Sequence, residues 1–239
     1  REMFEQFRSF AEYIYDYDLQ RSEGLLLRHL NSVYKTLSQT VPDGVKNDEA
    51  FEIEFYLRDL LSAVDSSLAD EWERMRDPAY QPRAAVAAGR AQSPRPAGNA
   101  EEAADVTRDR KRFLAAIRAR IFMFLRAWST GDHAGALALV EPARPDSGDR
   151  VWTPEDLNAA LATHHAEHGA IRFDPEARNL RHTHVSETES DAGRAWRIEQ
   201  ILVDPDMHND WVAEFEVDLR ASREAGRPIM RLAKVGGLA

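Results

Sequence analysis

The chain has 239 residues, 43% hydrophobic and 30% charged, which provides apolar surface for one or two ordinary cores and excludes a wholly unfolded polymer. It contains no cysteine, so disulfides, thiolate zinc sites, iron–sulfur clusters and cysteine nucleophiles are excluded together. The net charge of −10 is concentrated in residues 1–78, with 9 basic and 17 acidic side chains against 19 and 21 over residues 107–239. An acidic first third is expected to meet protein and not RNA, because phosphate neutralisation needs a basic surface.

The first predicted element is a helix in which Phe4, Phe7, Ala11 and Ile14 step at helical spacing. Its aromatics, Phe4, Phe7, Phe10, Tyr13, Tyr15 and Tyr17, surround most of the helix, so some are expected to stay exposed as a docking patch. A second helix after Ser22 carries Leu26, Leu30, Val33 and Leu37, and Pro42, Asp43 and Gly44 mark its end. A third, with Asp48 as the expected N-cap, carries Ile53, Leu57, Leu60, Leu61 and Val64 and continues through Leu68, Trp72 and Met75 towards Pro78. Residues 1–78 therefore read as a helical bundle. Residues 79–106, rich in Ala, Pro and Arg and almost without core formers, read as a disordered linker.

Thr107 is the expected cap of the next helix, whose stripe is Phe113, Ile117, Ile121, Phe124 and Trp128. A short Ala/Leu helix follows Gly131 and Asp132 and ends near Pro142. Thr153, Pro154 and Asp156 supply a cap, an N1 proline and an N3 acid to a third helix. From Arg178 the period changes to two. Trp196, Ile198 and Leu202 share one face, Trp211, Ala213, Phe215, Val217 and Leu219 another, and the last strand runs from Ile229 to Val235. Turn residues at 191–193, 204–209 and 225–228 separate four antiparallel strands. The expected fold class is α+β: a helical bundle (1–78), a linker (79–106), and three helices with an antiparallel sheet (107–239).

Two stretches resemble a known family. Leu25–Gln39 (LLLRHLNSVYKTLSQ) with Thr40-Val41-Pro42 and Val64–Glu73 (VDSSLADEWE) resemble the domain of unknown function C-terminal to the motor domains of actinobacterial-type DEAD/DEAH-box superfamily-2 RNA helicases. Trp196–Pro205 (WRIEQILVDP) and Asp210–Leu219 resemble the same family's closing strands. The resemblance implies a parent ATP-dependent RNA helicase whose upstream motor domains are the partner in cis, and whose ATP and Mg²⁺ sites lie in those domains. Phe124–Val140 (FLRAWSTGDHAGALALV), followed by another helix and a sheet, is similar to the nuclear-transport-factor-2-like cone fold, which does not by itself choose a function. The chain opens on Arg1 inside an amphipathic stretch, as expected of a piece of a longer polypeptide. No apolar run approaches the roughly 20 residues that cross a bilayer, and a cytoplasmic address without membrane contact is expected.

The residues that carry chemistry are few. No G-x-x-x-x-G-K-[ST] phosphate loop and no Asp-Glu-Ala-Asp tetrad is present, so no ATP site is expected in this chain. His164, Glu167 and His168 match H-x-x-E-H, in which two histidines one turn apart hold zinc. The third ligand should follow from a downstream helix, yet strands follow instead, so no metal is expected and His164 and His168 read as histidines bordering a pocket with Trp196 and Trp211. His182 and His184 share one face of a predicted strand, and Asp204, Asp206, His208 and Asp210 have calcium-loop spacing but Asn209 and Phe215 where glycine and glutamate belong. Both read as polar surface. Arg108, Arg112, Arg118, Arg120 and Arg126, with Arg110 and Lys111, lie opposite an apolar stripe, either as an RNA-facing basic helix or as a solvated face. No catalytic or cofactor-binding residue is identified. The expected function is an accessory, non-enzymatic region of a helicase; the alternative is a stand-alone cone-fold domain that binds a small molecule or carries a hydrolase activity.

Overall fold

A computed structural model describes residues 1–76, 105–144, 149–190 and 193–238, so the linker expected at 79–106 lies almost wholly outside the described residues. Two compact units divide the chain, Arg1–Glu102 and Ala103–Ala239. The class is α+β, with helices first and a four-stranded antiparallel sheet last.

In the first unit the opening helix is broken in two, α1 (Glu2–Glu5) and α2 (Phe10–Asp16). The break is driven by Ser9, whose hydroxyl accepts from the Glu12 N–H while the Glu12 carboxylate accepts from the Ser9 N–H, a reciprocal cap that starts a new helix. Phe7, at φ 49, turns the chain between them. Phe4, Phe7 and Phe10 are buried with Met3 and Ile14, as are Phe51, Phe55, Tyr56, Leu57 and Leu60 of the later part of the unit. The rings of Phe4 and Phe7 lie 5.7 and 5.2 Å from that of Tyr56, whose hydroxyl donates to the Arg8 carbonyl at 2.6 Å. The expected aromatic patch therefore shrinks to Tyr15 and Tyr17, which are exposed, and the half-buried Tyr13.

Helix α3 (Glu23–Lys35) ends in a wider π turn over Thr36–Thr40 and buries none of its residues fully. Its Leu26, Leu30, Val33 and Leu37 are half-buried, so α3 is not the centre of the bundle. That place belongs to α4 (Asp48–Arg76). Its cap is Asn47, not Asp48, since the Asn47 amide oxygen accepts from the Ala50 N–H at 2.8 Å. Its buried face is Phe51, Phe55, Tyr56, Leu57 and Leu60, while Ile53, Leu61 and Val64 stay half-buried.

The second unit is organised on α5 (Arg110–Ser129). Asp109, not Thr107, caps it by accepting from the Arg112 N–H, and Thr107 bonds Asp105 instead. All five stripe residues, Phe113, Ile117, Ile121, Phe124 and Trp128, are buried as expected. Burial extends further, to Ala115, Ala116, Arg118, Ala119, Phe122 and Leu125, because neighbours cover α5 on more than one side. Helix α6 (His133–Ala138) and α7 (Pro154–His168) follow, the latter with the Thr153/Asp156 capping box and N1 proline that the sequence predicts.

The sheet is a meander, β1 (Thr183–Ser190), β2 (Gly193–Leu202), β3 (Trp211–Asp218) and β4 (Met230–Gly237), each strand paired with its sequence neighbour. Leu219 does not extend β3. Asp218 caps a short helix, α8 (Leu219–Ala225), by accepting from the Ala221 N–H, and Gly226 at φ 65 ends it. The apolar face of β2 reads Trp196, Ile198, Gln200 and Leu202, with Gln200 buried and satisfied by Thr183 and the Ile201 carbonyl. The Phe113 ring lies 5.4 Å from that of Trp196 at a tilt, and the Phe124 ring meets that of Phe215 edge-on at 5.4 Å, so α5 and the sheet share one apolar core. No helix among the described residues is long and apolar enough to cross a membrane.

Candidate functional site

The basic face expected along α5 is dismantled by packing. Arg118 is buried and donates to the Arg178 carbonyl with its guanidinium 5.6 Å from the Phe122 ring, Arg120 donates to the Leu139 carbonyl at 2.6 Å, and Arg126 lies 5.7 Å over Phe173. Arg110 pairs with Glu187 and covers Trp196 at 4.7 Å. Arg108 is exposed and Arg112 half-buried, which leaves a short basic end in place of a continuous stripe.

The pocket expected from His164, His168, Trp196 and Trp211 is also divided. Trp211 pairs with Leu202 and Trp196 with Val217, six residues further back along β2, so the two indoles sit about 20 Å apart on one sheet face. Trp196 belongs with Phe113 and Arg110. His182 and His184 differ in setting, since His182 closes a 3-10 turn and is buried whereas His184 lies on β1 and is exposed.

What the fold does bring together is the C-terminal end of α7 and the connection between β2 and β3. Helix α7 stops at Gly169, whose φ of 73 suits glycine. There the Gly169 carbonyl lies 3.2 Å from His164 Nδ1. His164 is buried between rings, 5.1 Å from Trp211 and 6.5 Å from Trp128, and burial together with the neighbouring His168 holds its imidazole below the ordinary histidine value. It packs as a core histidine. Trp211 donates from its indole to Glu167 at 3.2 Å, which ties β3 to the same helix end.

Asp204 organises the facing loop. Its carboxylate accepts from the backbone N–H groups of Asp206 (2.8 Å), His208 (3.3 Å) and Asn209 (3.1 Å), and lies 3.2 Å from His208 Nδ1. These bonds hold Met207 and Asn209 at φ 61 and 56, a left-handed conformation that side chains other than glycine adopt at a cost. The oxygens turn inward to amides, so the calcium-loop spacing produces a carboxylate-centred turn. His168 lies across from this loop, its Nε2 3.3 Å from Asp210 and 3.7 Å from Glu167, its ring 5.4 Å from that of His208. One ligand-capable atom each of His168, Asp204 and His208 lies within 4.8 Å of the others. The sequence reading missed this trio because it paired His168 with His164 and looked for further ligands on a downstream helix or at His182 and His184, whereas Asp204 and His208 both come from the β2–β3 loop.

Burial alone would raise the Asp204 carboxyl, but the donors from Asn209, His208 and Asp206 outweigh it and hold the group at about 2. With a folded value below the unfolded one near 3.9, Asp204 stabilises the fold fully above about pH 4, and that contribution fades as pH falls towards 2. In metal-free buffer the contribution is on the order of 2–3 kcal/mol. Urea titrations between pH 5 and pH 2 should show Asp204→Asn losing that part of the acid dependence; parallel curves for both proteins would disprove it.

A family model described as a domain of unknown function, DUF3516, matches residues 1–235. The chain belongs to this family. Neither a curated protein nor a solved structure matches this DUF3516 chain. The match takes in both compact units, so DUF3516 comprises the α4-centred helices as well as the α5–sheet core.

Proposed function

We propose that the chain is the C-terminal accessory region of an ATP-dependent DEAD/DEAH-box RNA helicase, working in the cytoplasm as an interaction or coupling module and not itself as an enzyme. The observation that carries the non-enzymatic reading is the filling of the space between α5 and the sheet by Phe113, Ile117, Ile121, Phe124, Trp196, Ile198 and Phe215, all buried. An enzyme cleft is concave with a few converging polar groups, whereas this interior is an apolar plug suited to a rigid scaffold. The helicase connection rests on sequence: the Leu25–Gln39 stretch lies on α3 and its π turn, Val64–Glu73 on α4, and Trp196–Pro205 with Asp210–Leu219 on β2, β3 and the ends that flank them. ATP and Mg²⁺ belong to the motor domains of that parent, and RNA reaches the chain through them. The three helices followed by a meander support the cone-like description of the second unit, and the exposed Tyr15 and Tyr17 offer a contact for the motor.

A second reading, a ligand-binding or hydrolytic domain, is favoured only by the His168–Asp204–His208 group outside the apolar plug. RNA-stimulated ATP hydrolysis of the polypeptide that carries this chain, with and without residues 1–239, tests the main reading. The truncated motor should still hydrolyse ATP while its dependence on RNA concentration shifts. Superimposable curves, or a reading frame with no motor upstream, would overturn it.

A further inference from the structure

Two imidazoles and one carboxylate meeting from separate elements form a donor set of specific chemistry. We propose that His168, Asp204 and His208 bind one divalent first-row transition ion of the zinc class. Nitrogen donors favour such ions over calcium and magnesium, which prefer oxygen alone, and three protein ligands leave a coordination position for water. The reading goes beyond an accessory role and is independent of the helicase connection.

Three features of the site support binding over a mere hydrogen-bonded cluster. First, the side chain of His168 is nine-tenths buried, at 10% exposure, yet its Nδ1 is buried with no hydrogen-bond partner. Its other nitrogen faces Asp210 at 3.3 Å, the arrangement by which a carboxylate orients a ligating imidazole. Second, Asp204 is held by three backbone donors, so its position is set before any ion arrives. Third, the ligand atoms are close enough to converge. Tetrahedral ligands at about 2.0–2.1 Å from zinc stand roughly 3.4 Å apart, a contraction of at most about 1.4 Å from the present limit of 4.8 Å. His208, whose Nδ1 already stands 3.2 Å from Asp204, has a side chain 52% exposed on a loop and is the most exposed of the three. The ion would sit at the surface, pinning the β2–β3 connection to the end of α7.

The test is titration of zinc chloride into the EDTA-treated, dialysed 239-residue chain, read by calorimetry and by elemental analysis after desalting. Wild type should bind one equivalent, and cobalt in its place should give visible d–d absorption. His208→Ala removes an exposed side chain and should fold normally by circular dichroism while losing saturable binding. Asp210→Asn should weaken binding about tenfold by loosening His168. His184→Ala, an exposed histidine on β1, should bind as wild type does. No saturable zinc in wild type, or binding undiminished in both His208→Ala and a folded His168→Gln variant, would overturn the proposal.

Discussion

Replacing Lys46 by methionine should destabilise the first unit by about 3–5 kcal/mol, a large share of the roughly 5–15 kcal/mol available to a small domain. The Lys46 side chain is fully buried, and its ammonium donates to Glu54 and to Asp43, both at 2.7 Å, with the Phe51 ring 5.5 Å away. Burial by itself would lower its affinity for the proton, but the bonds to Asp43 and Glu54 outweigh that and hold Lys46 above the ordinary lysine value. Methionine fills the space without the charge and strands the Glu54 carboxylate, 6% exposed, away from its ammonium. The double variant Lys46→Met, Glu54→Leu should recover most of the loss, because an apolar pair avoids the desolvation that the ion pair must overcome. Urea denaturation with hydrogen exchange of α4 amides measures both. A loss below about 1 kcal/mol in the single variant would show that the pair is solvated.

Trp128→Ala should cost the second unit about 3–5 kcal/mol. Trp128 is completely buried, its indole N–H donates to the Leu157 carbonyl at 2.8 Å, and its ring meets His164 edge-on. It thereby joins α5 to α7 at Leu157 and His164. Trp128→Phe keeps most of the volume, and the Leu157 carbonyl lies within α7, where the helix provides its own donor. The phenylalanine variant should therefore lose only about 1–2 kcal/mol. Equal losses for the two variants in urea melts would show that the hydrogen bond, and not packing, carries the joint.

Most of the second unit was legible in the sequence. The α5 stripe follows a helical period, the Thr153-Pro154-Asp156 signal has one meaning, and β2 and the middle of β3 alternate. What escaped had local signals overridden by stronger patterns. Phe4, Phe7, Ala11 and Ile14 suggested one continuous helix, although Ser9 and Glu12 three residues apart marked a new start. Leu219 continued the alternation of β3, although Asp218 was already a cap for α8. Side-chain exposure on α5 depended on how many neighbours cover it, which periodicity does not encode, and so Arg118 was placed in solvent. The His168–Asp204–His208 group spans about 40 residues of sequence and exists only because the β2–β3 loop folds onto the end of α7. Spacing within one segment carries no trace of that.

Among the described residues, the meander leaves β1 and β4 each paired on one side only. An open edge is a template on which a second chain can add a strand, and proteins that persist in solution blunt such edges with charge and polarity. Along β1 the residues Thr183, His184, Val185, Ser186, Glu187 and Thr188 include a single aliphatic side chain, and the Glu187 carboxylate is engaged by both Arg110 and Arg194. A strand approaching β1 would have to displace those guanidinium groups and desolvate the acid before gaining any backbone bond. The β1 edge is thus a poor template for an added strand, while its neighbour β2 carries the core.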